Sequence, residues 1–154
     1  MKVIGIDPGT TATGYSVIEA DRCLDIGTIR PKKKSLHERI FEICQAVKKI
    51  IALSNPDYAA LEKAFYHKNI QSLIKASELR GAIILALQES NINILEYTAT
   101  EIKLTTTGNG RASKEQVRYF TERMFARGNA RVSNHAIDAI AIAYTATRKQ
   151  RVRQ

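Results

Sequence analysis

Apolar positions alternate or run in short blocks at the start of the chain, and from Leu36 onward stretches of helical spacing separate short apolar runs. Lys2 to Ile6, Thr13 to Ile18 and Cys23 to Ile29 read as strands joined by short turns, which predicts an antiparallel meander. Ser35 and Glu38 form a capping-box pair, and Leu36, Ile40, Ile43, Cys44, Val47, Ile50 and Ile51 follow at helical spacing until Asn55-Pro56 stops the run. Tyr58 to Glu62 reads as a short buried strand, and after a polar loop a long helix covers about Ile70 to Ser90. Gly81 costs that helix stability and implies close approach by another backbone. Asn93 to Tyr97 is a further strand, Thr98 with Glu101 is placed to cap a short helix, and Gly108-Asn109-Gly110 is a mobile loop. Ser113 with Gln116 opens a helix carrying Val117, Phe120 and Met124 and ended by Gly128, and a last helix runs from about His135 to Thr147.

Strands that alternate with helices must be joined by crossovers. The order βββαβαβα, followed by a terminal helix, therefore predicts an α/β fold: a mixed five-stranded sheet flanked by helices, in the ribonuclease H-like order. With no linker, repeat or low-complexity tract, residues 1–154 are expected to form a single domain with a basic C-terminal tail at about 148–154.

Composition narrows the function. Hydrophobic residues make up 44% and charged residues 25%, a soluble globular balance, and no apolar run is long enough to cross a membrane, so a cytoplasmic protein is expected. Cys23 and Cys44 lack metal-ligand spacing and read as reduced core thiols. A net charge of +9 favours a polyanionic partner, nucleic acid by default, because each phosphate neutralised releases condensed counterions. Part of that charge is clustered, at Lys32, Lys33 and Lys34 and at Arg148, Lys149, Arg151 and Arg153, where solvation and DNA contact are both open.

Three acids stand in apolar surroundings. Asp7 ends the strand VIGID, Glu62 ends YAALE, and Asp138 lies in the small, apolar helix HAIDAIAIAY. A buried carboxylate is costly unless something positive pairs with it, and a bound cation would answer all three. The first strand and a strand entered by crossover can lie side by side with their carboxyl ends together, making Asp7 and Glu62 neighbours. His135 and Asp138, three residues apart, project from one helical face toward the same end. Oxygen ligands with one imidazole suit Mg²⁺ or Mn²⁺ better than structural zinc. Each residue also has a plainer reading: Asp7-Pro8-Gly9 as a turn, Glu62 as a solvated strand end, His135 and Asp138 as residues at home near a helix N-terminus.

On these residues the chain resembles the RuvC family of Holliday-junction resolvases. GIDPGTTATGYSVI is similar to the family's opening strand, acid, Pro-Gly turn and second strand, LEKAF followed by KN to its second acidic motif, and HAIDAIAIA to its closing helix. The resemblance implies metal-dependent hydrolysis of four-way junction DNA, leaving 5′-phosphate and 3′-hydroxyl ends. It implies that Asp7, Glu62 and Asp138 are catalytic metal ligands, with His135 where many members carry a fourth acid, and that Mg²⁺, or Mn²⁺ in its place, binds as two ions. Phe65 matches an aromatic that inserts at the junction centre, Lys103 and Lys114 match lysines near the scissile phosphate, and the RuvA-RuvB branch-migration complex is the implied partner. A symmetric homodimer is expected because a junction has two equivalent strands to cut. The helix from Ile70 to Ser90 is its expected interface, with Gly81 allowing close approach. Rival readings are a ribonuclease H-like enzyme acting on RNA or hybrid, a phosphate-binding ATPase-type domain suggested by Asp7, Gly9, Thr10 and Thr11, and a DNA-binding module with a dead site.

Overall fold

The computed structural model describes residues 1–63, 69–125 and 132–151. β1 (Lys2–Asp7), β2 (Thr13–Glu19) and β3 (Arg22–Ile29) form the expected meander, followed by α1 (Leu36–Ser54), β4 (Tyr58–Glu62), α2 (Ile70–Glu89), β5 (Asn93–Tyr97), α3 (Ala99–Thr107), α4 (Lys114–Phe125) and α5 (Asn134–Arg151). The sheet order is β3-β2-β1-β4-β5, with β1 antiparallel to β2 and parallel to β4, and β4 parallel to β5. It is the mixed five-stranded sheet that the element order predicts.

Strand alternation divides the core between two faces. Ile4, Ile6, Val17, Ala59 and Leu61 pack under α1 and α2 through Ile43, Val47, Leu79, Ile83 and Leu87. Val3, Ile18, Ala60 and Tyr97 pack on the other side, under α3, α4 and the alanine-rich α5. Caps stop the helices where their residues predict. The Ser35 hydroxyl accepts from the Glu38 amide, Asn55 takes the left-handed cap of α1, and Thr98 and Glu101 form a full reciprocal box. Among the described residues no helix is long and apolar enough to cross a membrane.

Four expectations need correction. Within the described chain Gly81 has no close neighbour, since a Cβ there would meet nothing within 4 Å. On α4 Val117, Thr121 and Phe125 turn inward, one residue per turn, while Phe120 and Met124 are 42% and 39% exposed. The basic cluster at Arg148, Lys149 and Arg151, expected to begin a tail, is the last turn of α5. Lys149 pairs with Glu101, and Arg148 and Arg151 pair with Asp21, so cations sit where the helix dipole favours them. Cys23 and Cys44 are free as expected but only half-buried. Gly128 and Arg153 lie outside the described residues.

Candidate active site

Ile6 lies opposite Leu61 in the parallel pair, so Asp7 and Glu62, each the next residue along, end neighbouring strands at the same edge. The helix that meets them is set by absent side chains. A Cβ on Gly5 would stand 2.2 Å from the Ala139 carbonyl oxygen, and one on Gly14 would stand 1.9 Å from that of His135. Glycine in a strand interior is unfavourable and marks close backbone approach. Ser16 adds a buried hydroxyl that donates to the Ala139 carbonyl at 2.9 Å. Seated this low, the first turns of α5 carry His135 and Asp138 to the carboxyl ends of β1 and β4.

The geometry brings all four expected residues together. His135 Nδ1 is 2.6 Å from Asp7 Oδ2, and Asp138 Oδ2 is 2.9 Å from Lys114 Nζ at the start of α4. Burial pushes the Asp7 carboxyl above its usual range and the Asp138 charge adds to this, while the hydrogen bond from His135 works against it. Glu62 is also raised, first by burial and then by the charges of Asp7 and Asp138, with Lys114 and Lys103 opposing. The Lys114 ammonium is pushed up, chiefly by its hydrogen bond to Asp138. Three carboxylates thus crowd one another at a half-buried edge, which is the electrostatic condition a cation relieves.

A recess of about 280 Å³ opens here, lined by Glu62, Asp138, Lys103 and Lys114 over an apolar floor of Ile102, Val117 and Ile142. Lys103 and Lys114 therefore line the same recess as Glu62 and Asp138. Phe65 lies outside the described residues. Sequence reasoning passed over Arg118, which lines a second recess with Lys114, Asn134 and Asp138. Its spacing of one helical turn from Lys114 was the available signal.

Hard oxygen donors with one imidazole fit a divalent cation of the Mg²⁺ or Mn²⁺ kind. Among the described residues no three His, Cys, Asp or Glu side chains are gathered closely enough to hold an ion as they stand. One Asp7 oxygen is taken by His135 and one Asp138 oxygen by Lys114, so the donor chemistry fits while the side chains would have to exchange these partners for the ion.

Comparison with known proteins agrees over nearly the whole chain. Residues 3–146 match the family model described as "Crossover junction endodeoxyribonuclease RuvC". The protein of that name from Chloroherpeton thalassium is 40% identical over 148 residues, covering 93% of this chain and 80% of the relative. That from Chlorobaculum parvum is 39% identical over 149 residues, covering 94% and 80%. Among solved structures, Thermus thermophilus RuvC in complex with Holliday junction substrate superposes with a TM-score of 0.89 at 27% identity, covering 99% of this chain and 96% of that one. The yeast mitochondrial Holliday junction resolvase Ydc2, at 13% identity and a TM-score of 0.71 with 97% and 78% covered, shares the fold. With the family model, the curated relatives and the structural match in accord, the chain belongs to the RuvC family of crossover junction endodeoxyribonucleases.

Proposed function

We propose that Asp7, Glu62, His135 and Asp138 hold the divalent ions, two per site and Mg²⁺ by preference, with which this Holliday-junction resolvase cuts DNA. The observation that carries this reading is the meeting of three mutually repelling carboxylates, from β1, β4 and α5, beside two lysines at one sheet edge. Family membership makes the chain a metal-dependent hydrolase of junction DNA. Such ions, when bound, activate water on one side of the scissile phosphate and stabilise the leaving oxygen on the other. Asp7, most enclosed of the acids and hydrogen-bonded to His135, would be a principal ligand. Glu62, Asp138 and His135 would complete the donor set. Lys103 and Lys114 neutralise and orient the phosphate in the recess, and Lys114 gives up Asp138 as it does so. Phe65 stacks against bases at the junction centre, a contribution of about 1 to 3 kcal/mol per base that tolerates any sequence.

The working unit in this reading is a symmetric homodimer, which supplies the second site that a junction's second strand requires. Support comes from α2, where Ile70, Ile74 and Leu85 are 63%, 52% and 59% exposed on the face that carries Gly81. The RuvA-RuvB complex is the proposed partner in the cytoplasm. Cleavage of a synthetic four-way junction with Mg²⁺, run beside duplex DNA and RNA-DNA hybrid, tests the whole reading. Paired nicks on the junction that vanish in Asp7→Asn, with junction binding retained, are expected. Substantial nicking by the purified variant, or preference for the hybrid, would overturn it.

A further inference from the structure

The last residue of β4 has a hydrogen-bonding problem that the sheet does not solve. In a parallel ladder a carbonyl accepts from the residue one beyond its own partner. With Ile6 opposite Leu61, the Glu62 carbonyl should accept from the amide of residue 8. That residue is Pro8, which has no N–H. Lys63, one step on, faces the other neighbour and donates to the Tyr97 carbonyl at 2.8 Å, so the Glu62 carbonyl is the one turned toward β1.

Arg80 fills the gap. It stands on α2, across the sheet from α5, and its guanidinium reaches round the end of β4, where Nη1 donates to the Glu62 carbonyl at 2.7 Å. Nη2 pairs with the Glu96 carboxylate on β5, and the side chain is only 15% exposed. The planar fork joins two acceptors at fixed separation, which an ammonium cannot do. We propose that Arg80 is a positioning residue for junction cleavage: by taking the donor place that Pro8 leaves empty, it fixes the backbone from which the Glu62 carboxylate meets the divalent ion. This inference rests on the reading of Glu62 as a metal-holding residue. Arg80 touches neither DNA nor the reacting atoms in it. It restrains the strand end whose rotation would swing the carboxylate away.

The test compares Arg80→Gln, Arg80→Lys, Glu96→Gln and Glu62→Gln with the parent protein. For each, Mn²⁺ is titrated in junction cleavage, Mn²⁺ binding without DNA is measured by calorimetry, and junction binding in chelator and the unfolding midpoint are recorded. Arg80→Gln is expected to weaken Mn²⁺ binding and raise the half-saturating concentration by about 10-fold, the lower end of outer-shell effects, with junction binding unchanged and high Mn²⁺ restoring most of the rate. Arg80→Lys, which keeps one donor, should recover part of the shift, and Glu96→Gln should show a smaller shift in the same direction. A lowered unfolding midpoint with unchanged Mn²⁺ dependence would make Arg80 a structural brace and overturn the proposal. If Arg80→Gln does not fold, the same titration on Arg80→Lys and Glu96→Gln decides, and no shift in either overturns it. Glu62→Gln separates the two readings. Retained Mn²⁺-dependent cleavage in that variant removes Glu62 from the site and both readings fall, whereas abolished cleavage beside an unshifted Arg80→Gln sinks only the role of Arg80.

Discussion

Beneath α1 and α2 the sheet presents Ile4, Ile6, Val17 and Leu61, and the helices answer with Ile43, Val47, Leu79, Ile83 and Leu87, none more than 1% exposed. Beneath α5 it presents Gly5, Gly14 and Ser16, and the helix answers with Ala139, Ala143 and bare backbone. Large branched side chains on the first face each contribute about 1.5 to 3 kcal/mol by burial and can repack around small changes. Glycine and alanine on the second bury less area, but they let α5 sit directly against the strand backbone. The second face keeps an apolar cluster of its own through Val3, Ile18, Ile140 and Ile142, but it adds this backbone seating, and the four candidate ligands stand on it.

Gly14→Ala should break that division most sharply. Its new methyl, about 1.9 Å from the His135 carbonyl, must lift the start of α5 and carry His135 and Asp138 with it. A displacement near 1 Å can cost about 10²-fold in rate, and overpacking about 1 to 3 kcal/mol in stability. Single-turnover cleavage of a four-way junction and a urea melt of the same sample measure both, and near-parental cleavage would show that the seating of α5 does not govern the site. Ile83→Val, on the opposite face, should cost about 0.5 to 1.5 kcal/mol and leave the cleavage rate below the transition as it was. Coupled losses of rate and stability there would erase the distinction between the faces.

The site itself should weigh on stability with the opposite sign from the core. Because folding raises Asp7 and Glu62, the folded state holds protons more tightly than the unfolded one, so their contribution is favourable at low pH and is lost as pH rises through the folded values. In chelator at neutral pH, Glu62→Gln should therefore melt higher than the parent, and added Mg²⁺ should stabilise the parent but not the variant. A lower melting point for Glu62→Gln in chelator contradicts the crowding of charge described above. The smallest effect is expected at Glu101, held down to about 2 chiefly by the Lys149 hydrogen bond that ties α5 to α3. A lowered carboxyl stabilises above its unfolded value of 4.5, and that share fades as pH falls toward about 2. Glu101→Gln should cost about 0.2 to 1 kcal/mol at neutral pH, since the pair is only half-buried and screened by solvent, and the difference should close in acid melts.

The order of strands and helices was legible because strand and helix periods differ and because Ser35, Thr98 and Ser113 announce their helices by chemistry local to them. Asp7, Glu62 and Asp138 were legible for a related reason, each being an acid set against an apolar run. What escaped depends on distant partners. Nothing near Arg148 or Arg151 in sequence tells of Asp21, with which both pair from the last turn of α5. Phe120 and Met124 keep helical spacing with Val117, but spacing does not say how wide a face the neighbouring helix will cover. Gly81 drew notice as a glycine in a helix, although glycine permits close approach without requiring it, while Gly5 and Gly14 lay within a recognisable motif and their packing role went unread. Arg80 is one arginine among many until the register shows what Pro8 withholds.

Asp7 and its partner His135 are separated by 128 positions along the chain. On a ribosome the first acid therefore waits, folded or not, for those 128 further positions to be made before α5 can dock on β1 and β2. Under the proposed assignment, a nascent chain that still lacks α5 is without two of the four ligands, His135 and Asp138. Long-range assembly of this kind makes folding slower than a local arrangement would. In return, the proposed site is completed only once α5 has been made and has docked.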